Sequence, residues 1–283
     1  RSTFFLYTTL FRSTHKKGEN KMKKIISLIA MMAIAVTMTA CGTSTNTATE
    51  KTDSKTAQTE SDMAYIKDKG KMTIGYTLFK PMNFKDEKDE LTGFETEFAK
   101  LVCEKLGVEP DFQEIDWDSK EIELNSKNID CIWNGMTITD ERKQNMSITT
   151  PYMTNRQVMI MKEENKAKFT ESVDGASVVA EKGSTGEELV ESDPFFASCK
   201  YTALDSQAKG LMDVASGTSD IVIGDYVMAC GSVGSGTDYK DLVLVDKNFE
   251  SQDYGVAFRK GSDVTEEDRK STRLNSSHHG MGY

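Results

Sequence analysis

Apolar positions in the middle of the chain follow two spacings that take turns. Short runs rich in β-branched and other apolar residues recur at 72–78, 110–117, 130–133, 176–183, 201–204, 220–225, 242–245 and 254–260. Between them the spacing stretches to that of helices. Phe94, Phe98, Leu101, Val102 and Leu106 fall on one face of a helix predicted over 94–107, with Gly107 at its stop position. Shorter helices are predicted at 121–125, from Glu187, through Leu211 and Val214, and from Tyr226. Strands that alternate with helices and are apolar on both faces predict an α/β protein with parallel sheets covered on each side. Two such blocks flank the segment RQVMIMK at 156–162, which predicts two lobes.

The ends break this pattern. Met22, Lys23 and Lys24 precede an apolar run to about Val36, and Met38-Thr39-Ala40-Cys41 follows. That is the order of a secretory signal peptide at 22–40, and its run is shorter than the roughly 20 residues of a spanning helix. The ending looks like a bacterial lipobox, with Cys41 as the lipidated residue and 41–62 as a polar tether anchoring the protein to the membrane. Residues 1–21, upstream of this signal, and 271–283, without apolar periodicity, are expected to be foreign to the protein.

A formal charge of −10 with no Lys/Arg cluster argues against nucleic acid as a partner. The three histidines, His15, His278 and His279, all lie in the excluded ends, so the core holds no histidine base for a serine or cysteine hydrolase. Cys103, Cys131, Cys199 and Cys230 lack CxxC spacing and histidine partners, which argues against zinc and leaves disulfides and free thiols both open. No cofactor is expected.

In open α/β sheets ligands sit beyond the carboxyl ends of strands, so polar residues placed there are the candidates. After 130–133 come Asn134, Gly135 and Thr137, then Thr139 as a cap for a helix carrying Arg142. Glycine, backbone N–H groups, a hydroxyl and a planar guanidinium suit a carboxylate. The competing reading pairs Arg142 with Asp140 or another surface acid. After the strand at 176–183, Gly183-Ser184-Thr185-Gly186 turns into a helix whose N-terminus attracts anions, without the lysine of a P-loop. Asp225 ends the apolar run 221–224, where it either reaches solvent or meets a cation, and a cap for the helix from Tyr226 is the compatible alternative. Two anion-seeking loops and one acid describe a receptor for an α-amino acid, with its carboxylate at Arg142 and its ammonium at Asp225.

Several stretches in their order, IGYTLFKPMNF (74–84), LTGFETEFAKLV (91–102), IDWDSKEIELNSKNIDCIWNGMTITDER (115–142), VVAEKGST (178–185), SGTSDIVIGD (216–225) and DYGVAFRKG (253–261), closely resemble the bacterial extracellular solute-binding proteins, family 3, which serve ABC importers of polar amino acids. The resemblance implies a type II periplasmic-binding-protein fold over 63–270: one lobe of about 63–155 with 253–270, another of about 156–252, and two hinge strands between them. It implies that Gly135, Thr137, Arg142 and the Thr185 N–H hold the ligand carboxylate and Asp225 the amine. Phe79 and Trp117 would sandwich the ligand, Asn134 would lie at the pocket edge, and Thr77, where basic-amino-acid binders often carry an acid, would favour a small polar or neutral side chain. A monomer that closes on its ligand, without chemistry, and docks on an ABC permease is expected. A cyclohexadienyl dehydratase-like enzyme and the binding domain of a truncated sensor are the alternatives.

Overall fold

The computed structural model describes residues 61–265. The ends expected to be foreign, the expected signal peptide and Cys41, and nearly all of the expected tether lie outside the described residues.

Helix α1 (Asp62–Lys69) is opened by the Ser61 hydroxyl, which accepts from the Ala64 N–H, and closed by Gly70 in the left-handed region. Strand β1 (Lys71–Tyr76), the hairpin β2 (Phe84–Lys85) and β3 (Leu91–Thr92), helix α2 (Phe94–Leu106) and strand β4 (Glu109–Glu114) follow. A 3-10 turn (Trp117–Ser119), α3 (Lys120–Asn125), β5 (Cys131–Ile132), α4 (Asp140–Asn145) and β6 (Met146–Ile148) come next. The long strand β7 (Met153–Lys162) leads into α5 (Glu163–Phe169), β8 (Ser177–Glu181), α6 (Thr185–Ser192) and β9 (Lys200–Leu204). Then come α7 (Gln207–Ser216), β10 (Ile221–Asp225), α8 (Tyr226–Ser232), β11 (Leu242–Val245), β12 (Ser251–Tyr254) and β13 (Ala257–Arg259).

One sheet runs β4-β1-β5-β13-β6 and the other β11-β7-β10-β8-β9, with β12 also on β7. This is the two-lobed type II periplasmic-binding-protein architecture. The expectation of parallel sheets is corrected to mixed ones. Parallel pairing joins β1 to β4 and β5, and β8 to β9 and β10, whereas β7 and β13 run antiparallel to their neighbours. The reason is direction of entry. β5, β8 and β10 end at the cleft, while β7 and β13 carry the chain into each lobe from the cleft side. The chain crosses twice, and the crossings pair with each other from Met153 opposite Tyr254 to Arg156 opposite Ser251.

Ile66, Met72, Ile74, Cys103 and Phe258 share the first lobe's core, and Met159, Met161, Phe169, Val178 and Ile223 the second's. Burying each such large side chain contributes about 1.5–3 kcal/mol. Helix α2 departs from its predicted face. Phe94 and Leu101 are exposed, and the deep face is Glu95, Thr96, Ala99 and Cys103. Polar partners of Glu95 and Thr96 turn the helix. Asn83 donates to Glu95 at 2.8 Å and accepts from the Thr96 hydroxyl at 2.8 Å. Cys103, Cys131, Cys199 and Cys230 are free thiols, and burial pushes the Cys103 thiol up to about 11, which makes it a poor nucleophile.

Candidate ligand-binding site

The loop after β5 is shaped by Gly135, whose φ of +55° is left-handed. A Cβ there would lie 2.8 Å from the Phe79 ring, so no larger residue fits. Thr139 then caps α4 by accepting from the Arg142 N–H at 3.1 Å. That cap turns the Arg142 side chain back over the loop. It is buried, donating to the Thr137 carbonyl at 3.0 Å and across the cleft to the Gly183 carbonyl at 3.2 Å. Of the competing reading, the Asp140 pairing does not form, because Asp140 takes Lys143 at 3.1 Å, but another surface acid, Glu188, does lie within ion-pair distance of Arg142. Burial pulls the guanidinium's pKa down, and Glu188, 3.6 Å away, opposes that.

In the second lobe Ser184 caps α6 by accepting from the Glu187 N–H at 3.2 Å, so Thr185 opens the helix with its N–H toward the cleft end. Asp225 ends β10 directly opposite Gln157 of β7. Its carboxylate accepts amide N–H groups from Gln157 at 3.0 Å, from Gln207 at 2.5 Å and from Asn155. Burial raises the Asp225 pKa, and these amides together with the Tyr254 hydroxyl oppose the rise. Asp225 makes no cap for α8 with its side chain; Asn155 accepts the Val227 N–H at 3.3 Å in its place.

Phe79, Trp117, Asn134, Gly135, Thr137 and Arg142 of the first lobe line one cavity. Glu181, Ser184, Thr185, Gln207 and Asp225 close it from the second. Its volume is about 10 Å³, room for about one water. The lobes are therefore shut, and they must part to admit anything larger. The closed form is held by Lys120 on the Gly183 carbonyl at 2.9 Å, and by the pairs Lys182–Asp118 at 2.9 Å and Lys80–Asp238 at 2.8 Å. Pro81 sits against Gly231, where a Cβ would lie 2.7 Å from its ring. A wider groove of about 660 Å³ flanks the hinge strands and shares Thr137 and Thr185 with the cavity, but neither Arg142 nor Asp225 lines it.

Two implied roles change. The Gly135 N–H donates to Glu95 at 2.7 Å, so it is not open to a ligand carboxylate, and Gly135 serves the cavity by lacking a side chain. Thr77 does not line the cavity. Its N–H donates to Asn134 at 2.9 Å and its hydroxyl accepts from the Asn134 amide at 2.7 Å, so it positions Asn134. A neutral ligand side chain inferred from Thr77 loses its footing.

Sequence reasoning missed Glu181 and Gln207 in the wall, and had Ser184 only as part of the anion-seeking turn. It also missed Glu95 and Lys120 behind it. Glu181 obeys the same strand-end rule that singled out Asp225. Glu95 takes the Tyr152 hydroxyl as well as Gly135, and burial pushes its pKa up to about 7. Lys120 lies over the Trp117 ring at 4.9 Å, and burial beside Arg142 brings it down to about 8.

The model of the bacterial extracellular solute-binding proteins, family 3, matches residues 72–272. The arginine-binding extracellular protein ArtP of Bacillus subtilis (strain 168) is 28% identical over 254 residues, 89% of this chain and 92% of its own. The L-cystine-binding protein TcyJ of Escherichia coli (strain K12) is 29% identical over 201 residues, 70% of this chain and 74% of its own. The crystal structure of AncCDT-1, an ancestral amino acid-binding protein and precursor of cyclohexadienyl dehydratase, superposes with a TM-score of 0.66 at 28% identity, covering 78% of this chain and 95% of that one. With the match spanning both lobes and the cleft between them, the chain belongs to the bacterial extracellular solute-binding proteins, family 3.

Proposed function

We propose that the chain is the extracytoplasmic receptor of an ABC importer, binding an α-amino acid between its lobes and presenting the closed form to the membrane permease. One observation carries the reading: Arg142 of the first lobe and Asp225 of the second face the same cavity. An amino-acid carboxylate would meet Arg142, the Thr137 hydroxyl and the Thr185 N–H, and its ammonium the negative charge of Asp225. Either lobe alone leaves one charge of the zwitterion unpaired. Closure satisfies both, so the ligand favours the closed form. Hydrogen bonds to charged groups contribute about 1.5–3 kcal/mol each, and a few of them less closure costs give micromolar affinity, about −8 kcal/mol. Phe79 and Trp117 supply apolar walls, and a lipid on Cys41 would keep the receptor at the membrane.

A thermal-shift screen of the amino acids followed by isothermal titration tests this. At least one amino acid is expected to bind, and Arg142→Ala to weaken it by 100-fold or more; unchanged affinity in that variant would defeat the reading. The enzyme alternative would use Glu181, a buried carboxyl in the cavity, as a general acid. Incubation with prephenate or arogenate separates the two, since turnover would replace the receptor reading.

A further inference from the structure

With Arg142 and Asp225 assigned to the two ends of a zwitterion, one carboxyl in the cavity has no task. Glu181 ends β8, is 5% exposed, and faces the same cavity. Among the described residues it has no cation within ion-pair distance, since the next residue, Lys182, turns out to Asp118. Its neighbour Gln207 spends one amide hydrogen on Asp225 at 2.5 Å and accepts the Asp225 N–H at 3.0 Å, which leaves one hydrogen for Glu181, the single side-chain donor acting on it. The charged groups acting on Glu181 are Asp225 on β10, Lys120 on α3 and Asp116 before the 3-10 turn. Lys120 gives its Nζ to the carbonyls of Trp117 and Gly183 and does not line the cavity. A buried carboxyl aimed at a binding cavity and lacking a full set of donors is costly, unless the occupant supplies them.

We propose that Glu181 is the specificity-determining residue of the cleft, accepting an N–H from the far end of the ligand's side chain, so that the receptor takes amino acids ending in an amine, guanidine or amide and rejects those ending in a carboxylate. The inference rests on the amino-acid reading above and reverses the expectation drawn from Thr77. The acid that reads the side chain comes from the second lobe, not from the end of β1. Charge supports the direction of discrimination. Asp225 already holds the Glu181 pKa up, after burial as the main cause, to about 8. A third carboxylate in the same closed space would be opposed by both. An ammonium or guanidinium would instead favour the ionised form and displace a proton from it.

The test is isothermal titration of the wild-type chain and Glu181→Gln with arginine, lysine, glutamine, glutamate, aspartate and leucine. Wild type is expected to bind at least one of the first three tenfold or more tighter than any of the last three. Glu181→Gln is expected to weaken a cationic ligand tenfold or more, to weaken glutamine less, and to narrow the gap to glutamate. Tightest binding of an acidic or aliphatic amino acid, or an unchanged ranking in Glu181→Gln, overturns the inference and leaves the receptor reading standing. Binding of no amino acid overturns both. Because the wild-type ranking is itself a readout, a variant that fails to fold does not shelter the proposal.

Discussion

Gly135 carries a burden that no side chain could share. Its left-handed φ and the 2.8 Å approach of the Phe79 ring to its would-be Cβ act together. A left-handed conformation alone costs a non-glycine residue roughly 1–2 kcal/mol. Gly135→Ala is therefore expected to lower the melting temperature by several degrees and to weaken ligand binding tenfold or more, as Phe79 or the Thr137 loop gives way. Calorimetry and titration on the same sample read both. Arg142 and Asp225 were legible as residues because each follows an apolar strand and neither could be buried there without a partner. Glu181 escaped that logic because the strand was read as running on to 183, which left the acid inside it, whereas the strand ends at Glu181. Gln207 and Glu95 gave no local sign, because they reach the site from helices whose facing is decided by contacts distant in the chain.

At the scale of elements, α2 shows how a polar network overrides an apolar stripe. Its spacing marked Phe94 and Leu101 as core, yet the helix turns to place Glu95 against Asn83, Tyr152 and the Gly135 N–H. The fold raises the Glu95 pKa from 4.5 to about 7, which means that it favours the protonated acid. The associated stability is complete below about pH 4.5 and is lost as pH rises through about 7, by at most about 3 kcal/mol at about 1.4 kcal/mol per pH unit. Thermal melts of the wild type are expected to fall over this window more steeply than those of Glu95→Gln. Equal slopes would mean that Glu95 titrates like an exposed acid. Helix and strand order was legible from periodicity, whereas strand direction was not, because nothing in the local pattern of β7 or β13 tells which end enters from the cleft. The two-residue strands of the 84–92 hairpin are too short to show a period at all.

For the whole molecule, the meeting of Pro81 and Gly231 limits how far the lobes close. Gly231→Ala places a methyl 2.7 Å from the proline ring, while alanine suits the helix that carries it. This variant is expected to fold normally, to bind ligand tenfold or more weakly, and to show a smaller ligand-induced decrease in radius of gyration by X-ray scattering. Full compaction with wild-type affinity would show that the contact does not restrain closure. The exposed pairs Lys80–Asp238 and Lys182–Asp118 matter less, because such pairs contribute roughly 0–1 kcal/mol and weaken in salt.

The Gly183 carbonyl accepts from both Lys120 and Arg142, two cations of the opposite lobe. A single peptide oxygen thus ties two cations of one lobe to the other whenever the cleft is shut. Release of a solute then runs through an opening step that must break both contacts at once. Loosening either contact is therefore expected to speed the departure of solute more than its arrival.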